Sequence, residues 1–197
     1  MCTRLYGSGL VEPSEGKLRD LFKAVWDHDH SRVRELLDPD TSSDEDVRAL
    51  VNAQAYANSI APLCSAVDTG DEEMVGILLA AGADPNQADP NGEYPIHRAV
   101  MRGYDTIVLG LLAADADANA IGYGGATPLH VAAQHDRIKI AQHLLDAGAD
   151  INARVGRSTA LSLATSGEMT ELLKRRGAIR HCPLPWNSDV ITMPENL

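Results

Sequence analysis

The sequence predicts an all-α solenoid of about five helix–turn–helix units, and three observations point to it. Short blocks recur at a fixed step: Pro62, Pro95 and Pro128 lie 33 residues apart, and so do Asn86, Asn119 and Asn152. A step of this size marks stacked repeats, in which each unit buries its apolar face only against its neighbours. Each block pairs a Pro-led segment with a later Leu-Leu pair (Leu78-Leu79, Leu111-Leu112, Leu144-Leu145). Aromatic residues make up only 4% of a chain that is 44% hydrophobic, so the core must be Leu, Ala, Val and Ile.

Taken in order, residues 1–16 form an N-terminal extension that carries no repeat signal. The first unit, about 17–55, is degenerate: Leu21, Ala24, Val33, Leu36 and Leu37 reproduce the spacing of Leu63, Ala66, Val75, Leu78 and Leu79. Asp20 stands where the later units have proline, and an acidic insertion over 38–50 interrupts the unit. That insertion reads as an exposed loop with a short helix over 44–50 capped by Ser43. Val51-Asn52-Ala53 then restores the closing phrase of the repeat.

The units at 56–88, 89–121 and 122–153 are regular. Their prolines suit the first position of a helix, where the missing N–H costs nothing. Ala66, Ala99 and Ala132 are small where neighbouring helices should cross closely, and Gly70 and Gly103 fit tight turns between helices. Gly82 and Gly148 should end second helices in the left-handed conformation; Asp115 replaces that glycine and should be strained. The last unit, 154–178, is trimmed, and Lys174, Arg175 and Arg176 give it the wet outer face of a cap. Residues 179–197 leave the pattern: Pro183, Pro185 and Pro194 forbid a continuous helix, while Trp186, Ile191 and Met193 offer apolar area for a lid or a docking peptide.

Thr127-Pro128-Leu129-His130, followed by Gly148-Ala149-Asp150-Ile151-Asn152-Ala153, resembles the ankyrin repeat. The resemblance covers 59–178 and reaches upstream to about 18. It implies two helices and a β-hairpin finger per unit. It also implies a concave groove built from finger tips and the exposed sides of the first helices. Carried onto matching positions, the groove residues are Asn58, Ile60, Asp68 and Thr69; then Asn91, Glu93, Met101 and Arg102; then Tyr123, Ala126, Gln134 and His135. Met101 and Tyr123 are the expected apolar anchors, because flexible and aromatic side chains commonly carry hot-spot energy. The implied function is a non-catalytic protein–protein interaction module: an inhibitor, adaptor or regulator that occupies a partner's surface. No cofactor and no metal are implied.

Charge narrows the class of partner. Seventeen basic against twenty-eight acidic side chains give a formal net charge of −11. That argues against nucleic acid or an anionic membrane as partner, since both require a basic face. No apolar run approaches the ~18 residues of a membrane span. Residues 59–125 hold Arg98 and Arg102 against ten acids, a net of −8, which suits a partner protein with a basic segment. A monomer is expected. Three scattered cysteines, Cys2, Cys64 and Cys182, make no disulfide framework and suit the cytoplasm or nucleus.

Several short patterns invite chemistry and are better absorbed by the repeat. His97 and His130 recur at the step of 33, with Cys64 and Ser162 in the equivalent slots, so they should brace the finger turns by hydrogen bonding. Asp115-x-Asp117-x-Asn119 opens like a calcium loop, but its sixth and twelfth positions are Ala120 and Ala126. Gly122-Tyr123-Gly124-Gly125 lacks the Lys-Ser/Thr of a phosphate loop and reads as a finger turn loosened by extra glycine. His28-Asp29-His30 reads as a solvated polar turn, and His143 as a second-helix surface residue. The alternative function is an atypical enzyme or small-ligand protein, with a pocket between groove, insertion and tail where carboxylates and histidines converge.

Overall fold

A computed structural model describes residues 15–38, 43–53 and 60–179. Five helix pairs follow one another: α1 (Glu15–Trp26) with α2 (His30–Leu36), α4 (Pro62–Thr69) with α5 (Glu72–Ala80), and α6 (Pro95–Arg102) with α7 (Asp105–Ala113). α8 (Pro128–Gln134) with α9 (Ile138–Asp146), and α10 (Ala160–Leu163) with α11 (Gly167–Arg175), complete the series. The additional helix α3 (Asp44–Val51) falls in the acidic insertion, and the Ser43 hydroxyl accepts from the Asp46 N–H at its N-cap.

First helices stack on first helices, α1 on α4 on α6 on α8 on α10, and second helices on second helices, α2 on α5 on α7 on α9 on α11. The sequence dictates this local geometry. Pro62, Pro95 and Pro128 each occupy the first turn of their helix. Ala66, Ala99 and Ala132 are fully buried between neighbouring first helices, as close crossing demands. One continuous core runs from Leu21 to Leu173 and contains Leu63, Met74, Leu78, Ile96, Leu111, Leu129, Ile140 and Leu144. The shortened first helix of the last pair, four residues against seven in α8, accounts for the trimming seen in the sequence.

Two ladders tie unit to unit. The side chain of Asn86 donates to the Asp115 carbonyl (2.9 Å) and accepts from the Asp117 N–H (2.8 Å). Asn119 repeats this on the Gly148 carbonyl (3.1 Å) and the Asp150 N–H (2.6 Å). Asn52 makes the same pair of bonds to the Gly82 carbonyl (3.0 Å) and the Asp84 N–H (2.7 Å), so the degenerate first unit keeps the linkage. The second ladder follows the turns between paired helices, where His28, Gly70, Gly103 and Asp136 all adopt positive φ. There Arg137 reaches back to donate to the Met101 and Arg102 carbonyls (3.2 and 3.3 Å), and Ser166 bonds to Asp136.

Four expectations need correction or adjustment. The fingers are not strand-paired hairpins: among the described residues β pairing is confined to an isolated Val155–Ser158 bridge. Each finger is instead a tight turn closed by a few backbone bonds, such as Asp89 N–H to Glu93 O (2.9 Å) and Gly122 N–H to Ala126 O (2.8 Å). The glycine-rich finger is a defined 3-10 turn over Tyr123–Gly125, not a loosened one. His28 and His30 do not make a merely solvated turn, because both bond Asp71 of the next unit, at 2.7 and 2.9 Å. His143 is half-buried and not a surface residue. Asp115 does adopt the left-handed conformation expected of it, with φ of 64°.

Candidate functional site

The face defined by the finger turns and the last turns of the first helices collects the candidate binding residues. Asp68 and Thr69 end α4, Met101 and Arg102 end α6, and Gln134 and His135 end α8, so successive units present register-equivalent pairs. Thr69, Asn91, Met101, Arg102, Tyr123, Gln134 and His135 are exposed; Ile60, Asp68, Glu93 and Ala126 are half-buried. Asn58 lies outside the described residues, as do residues 1–14, most of the acidic loop and the tail from 180. The two expected anchors are open to solvent, Met101 at 42% and Tyr123 at 76%.

An ion-pair network underlies this face. The guanidinium of Arg98, on α6, bonds both Asp68 on α4 and Asp89 in the intervening finger. Asp89 is buried, and its other oxygen accepts from the Asn91 N–H (2.8 Å) and the Glu93 N–H (2.9 Å), which shapes the finger tip. Burial pushes the Asp89 carboxyl up, but the Glu93 N–H, Arg98 and the Asn91 N–H outweigh it and hold the group below its ordinary range. Burial lowers the Arg98 pKa, and Asp89 and Asp68 more than restore it. Glu93 then accepts from the Tyr123 N–H (3.1 Å), which passes the order on to the next finger. Asp68 also faces Arg102, at 3.9 Å.

The repeated histidines act structurally. His97 Nε2 donates to the Ala126 carbonyl (3.0 Å), so it braces the following finger. Gly122 is required there, because a Cβ would lie 2.9 Å from the imidazole. His130 Nδ1 lies 2.8 Å from the Thr127 hydroxyl and accepts from the Thr127 N–H at 3.3 Å, forming a capping box. Burial pushes both imidazole pKa values down, and backbone carbonyls restore only part of the shift. In the Cys64 slot, burial raises the thiol to about 12, which makes it a small packed residue and not a nucleophile.

Elsewhere, acids and histidines converge at the seam between the first two units, with Asp71 between His28 and His30, and Glu73 2.6 Å from Arg34. Burial pushes Asp71 up, yet the hydrogen bonds from His28, the Met74 N–H and His30 leave it below its usual value. Among the described residues, no group of three or more His, Cys, Asp or Glu is arranged to hold a metal ion. The cleft beside the insertion helix, about 270 Å³, is lined by Leu37, Asp44, Val47, Arg48 and residues 80–82. None of the seam residues lines it. No helix among the described residues is long and apolar enough to cross a membrane.

One further side chain belongs to the candidate face. Trp26 ends α1 at the register of Asp68, Met101 and Gln134, two residues beyond the buried alanine of each first helix, and is 73% exposed. The sequence signal for it was the match of Ala24 to Ala66, which places Trp26 opposite Asp68.

Stacked helix pairs cross-linked by asparagines, with bracing histidines beneath the finger turns, define a helical-repeat scaffold. The chain belongs to the ankyrin repeat family: the family profile described as ankyrin repeats (3 copies) matches residues 21–121 and 63–155. No curated protein matches the chain in direct sequence comparison. Ankyrin repeats are in general protein–protein interaction modules and typically not enzymes.

Proposed function

We propose that this protein is a non-catalytic inhibitor, adaptor or regulator that docks a partner protein on the face bearing Asp68, Met101, Arg102, Glu93 and Tyr123. The observation that carries this is the exposure of Met101 and Tyr123 on a framework whose other regular positions are buried. Such anchors supply most of the energy of an interface of about 800 Å² per side. The ion-paired floor supports docking by holding the finger tips in one geometry before the partner arrives. The net charge of −8 across residues 59–125 favours a partner with a basic segment, and raises its on-rate at low salt. The chain acts as a monomer in the cytoplasm or nucleus, a setting that suits the free, buried Cys64.

The experiment is a pull-down from native lysate with the wild type and with Met101→Ala/Tyr123→Ala. Both side chains are exposed, so the double variant keeps the fold; it should lose the captured partner. Equal capture by the two proteins overturns the assignment of this face.

A further inference from the structure

Resting on that reading, we infer that the docked segment carries a lysine or arginine side chain seated between Trp26 and Asp68, next to an apolar side chain on Met101. The argument starts from register. In α6, Arg98 reaches back across one unit to the Asp68 carboxylate. In α8, the residue in the place of Arg98 is Val131, an apolar side chain toward Met101. In α4, that place is held by Ser65, which is too short to cover Trp26. The first helix of the array therefore ends in a large indole that no equivalent side chain reaches over, and 73% of it is open.

The charges around this position favour a cation. Asp27 follows Trp26, and Asp68 occupies the same register on the next first helix, which packs against α1. One Asp68 oxygen is taken by Arg98; the other faces Arg102 at 3.9 Å, beyond hydrogen-bond distance, and the side chain is 26% exposed. Arg98 is held on two carboxylates and is only 17% exposed, so it does not cover the indole. Arg102 is half exposed on a flexible stem and leaves room for an incoming cation. An indole face is the strongest aromatic platform for an ammonium or guanidinium group, and an adjacent carboxylate adds charge-assisted hydrogen bonding. Met101, at the same register one unit further on, supplies the apolar contact that fixes direction along the face.

The test uses phage-displayed peptides selected on the full chain, followed by titration of the synthetic winners. The chain contains two tryptophans, Trp26 and Trp186, so the full-length Trp186→Phe protein reports on Trp26 fluorescence alone. Selected peptides should carry Lys or Arg beside a large apolar residue. They should shift Trp26 emission saturably, and bind several-fold more weakly when salt is raised from ~50 to ~300 mM. Trp26→Ala should weaken binding at least tenfold, and Trp26→Phe should restore part of it. Winners without a cation, no winners at all, or unchanged affinity in Trp26→Ala overturn the inference. If Met101→Ala/Tyr123→Ala abolishes binding while Trp26→Ala does not, only the cation subsite fails. If all these variants bind like the wild type, the docking face itself is wrong.

Discussion

Replacing Gly103 with alanine should cost distinctly more than replacing Gly148, although both glycines have left-handed backbones, with φ of 79° and 86°. Forcing an alanine into that conformation costs about 1–2 kcal/mol. At Gly148 a Cβ meets nothing within 4 Å, so the backbone strain is the whole effect. At Gly103 a Cβ would stand 2.6 Å from the Arg137 Cζ and must push the guanidinium aside. The shift itself is cheap, because the atom ends a flexible side chain. Its consequence is loss of the bonds from Arg137 to the Met101 and Arg102 carbonyls. At the low end of about 0.5–1.5 kcal/mol each, because they are partly solvent-exposed, these add about 1 kcal/mol. The assay is urea unfolding followed by far-UV circular dichroism for Gly103→Ala, Gly148→Ala, Arg137→Ala and the Gly103→Ala/Arg137→Ala double variant. With m near 2 kcal/mol/M, each kcal/mol moves the midpoint by about 0.5 M. Once Arg137 is absent, Gly103→Ala should cost no more than Gly148→Ala, a coupling of about 1 kcal/mol. Equal single costs, or strict additivity in the double variant, would refute the role given to Arg137.

Two further outcomes follow from the buried titratable groups. His97 and His130 have depressed pKa values in the folded state, so their contribution is complete above about pH 6.5 and is lost as pH falls through the folded values. Urea midpoints should therefore drop between pH 7.5 and pH 5, and His97→Gln/His130→Gln should flatten that slope; a slope unchanged in the variant contradicts the assignment. Cys64, buried with its thiol pushed up to about 12, should resist iodoacetamide at pH 8 in the native protein and react in urea. Peptide mapping by mass spectrometry separates it from Cys2 and Cys182, and rapid native labelling would show that the site opens.

The sequence made the framework legible because framework residues answer to the repeat step, and step-locked positions explain themselves. The helix-opening prolines, the crossing alanines, the asparagine ladder and the strained Asp115 all follow from position within a unit. What escaped depends on contacts that do not repeat. Arg98 bridges Asp68 and Asp89, but its counterparts are Lys23, Ser65 and Val131, so no periodic signal marks it. The bonds from His28 and His30 to Asp71 span more than forty residues and cross the acidic insertion, whose length disguises the register. Trp26 was within reach, since Ala24 had already been matched to Ala66, but the degenerate first unit drew attention away from its last turn. Fingers closed by one or two backbone bonds look like hairpins in sequence, because the same Asn-Gly and glycine-rich turns serve both.

The asparagine clamps all point one way along the chain. Asn52, Asn86 and Asn119 each grip the helix end and finger start that follow, and none reaches toward the preceding unit. A whole block could thus be excised and the flanks spliced with every fastener meeting an equivalent socket, Asn86 finding Gly148 and Asp150 where Asp115 and Asp117 had been. Removal of half a block would leave a clamp facing the wrong atoms. Array length is in this sense a quantity counted in whole modules, open to change by gene duplication or loss without redesign of any joint.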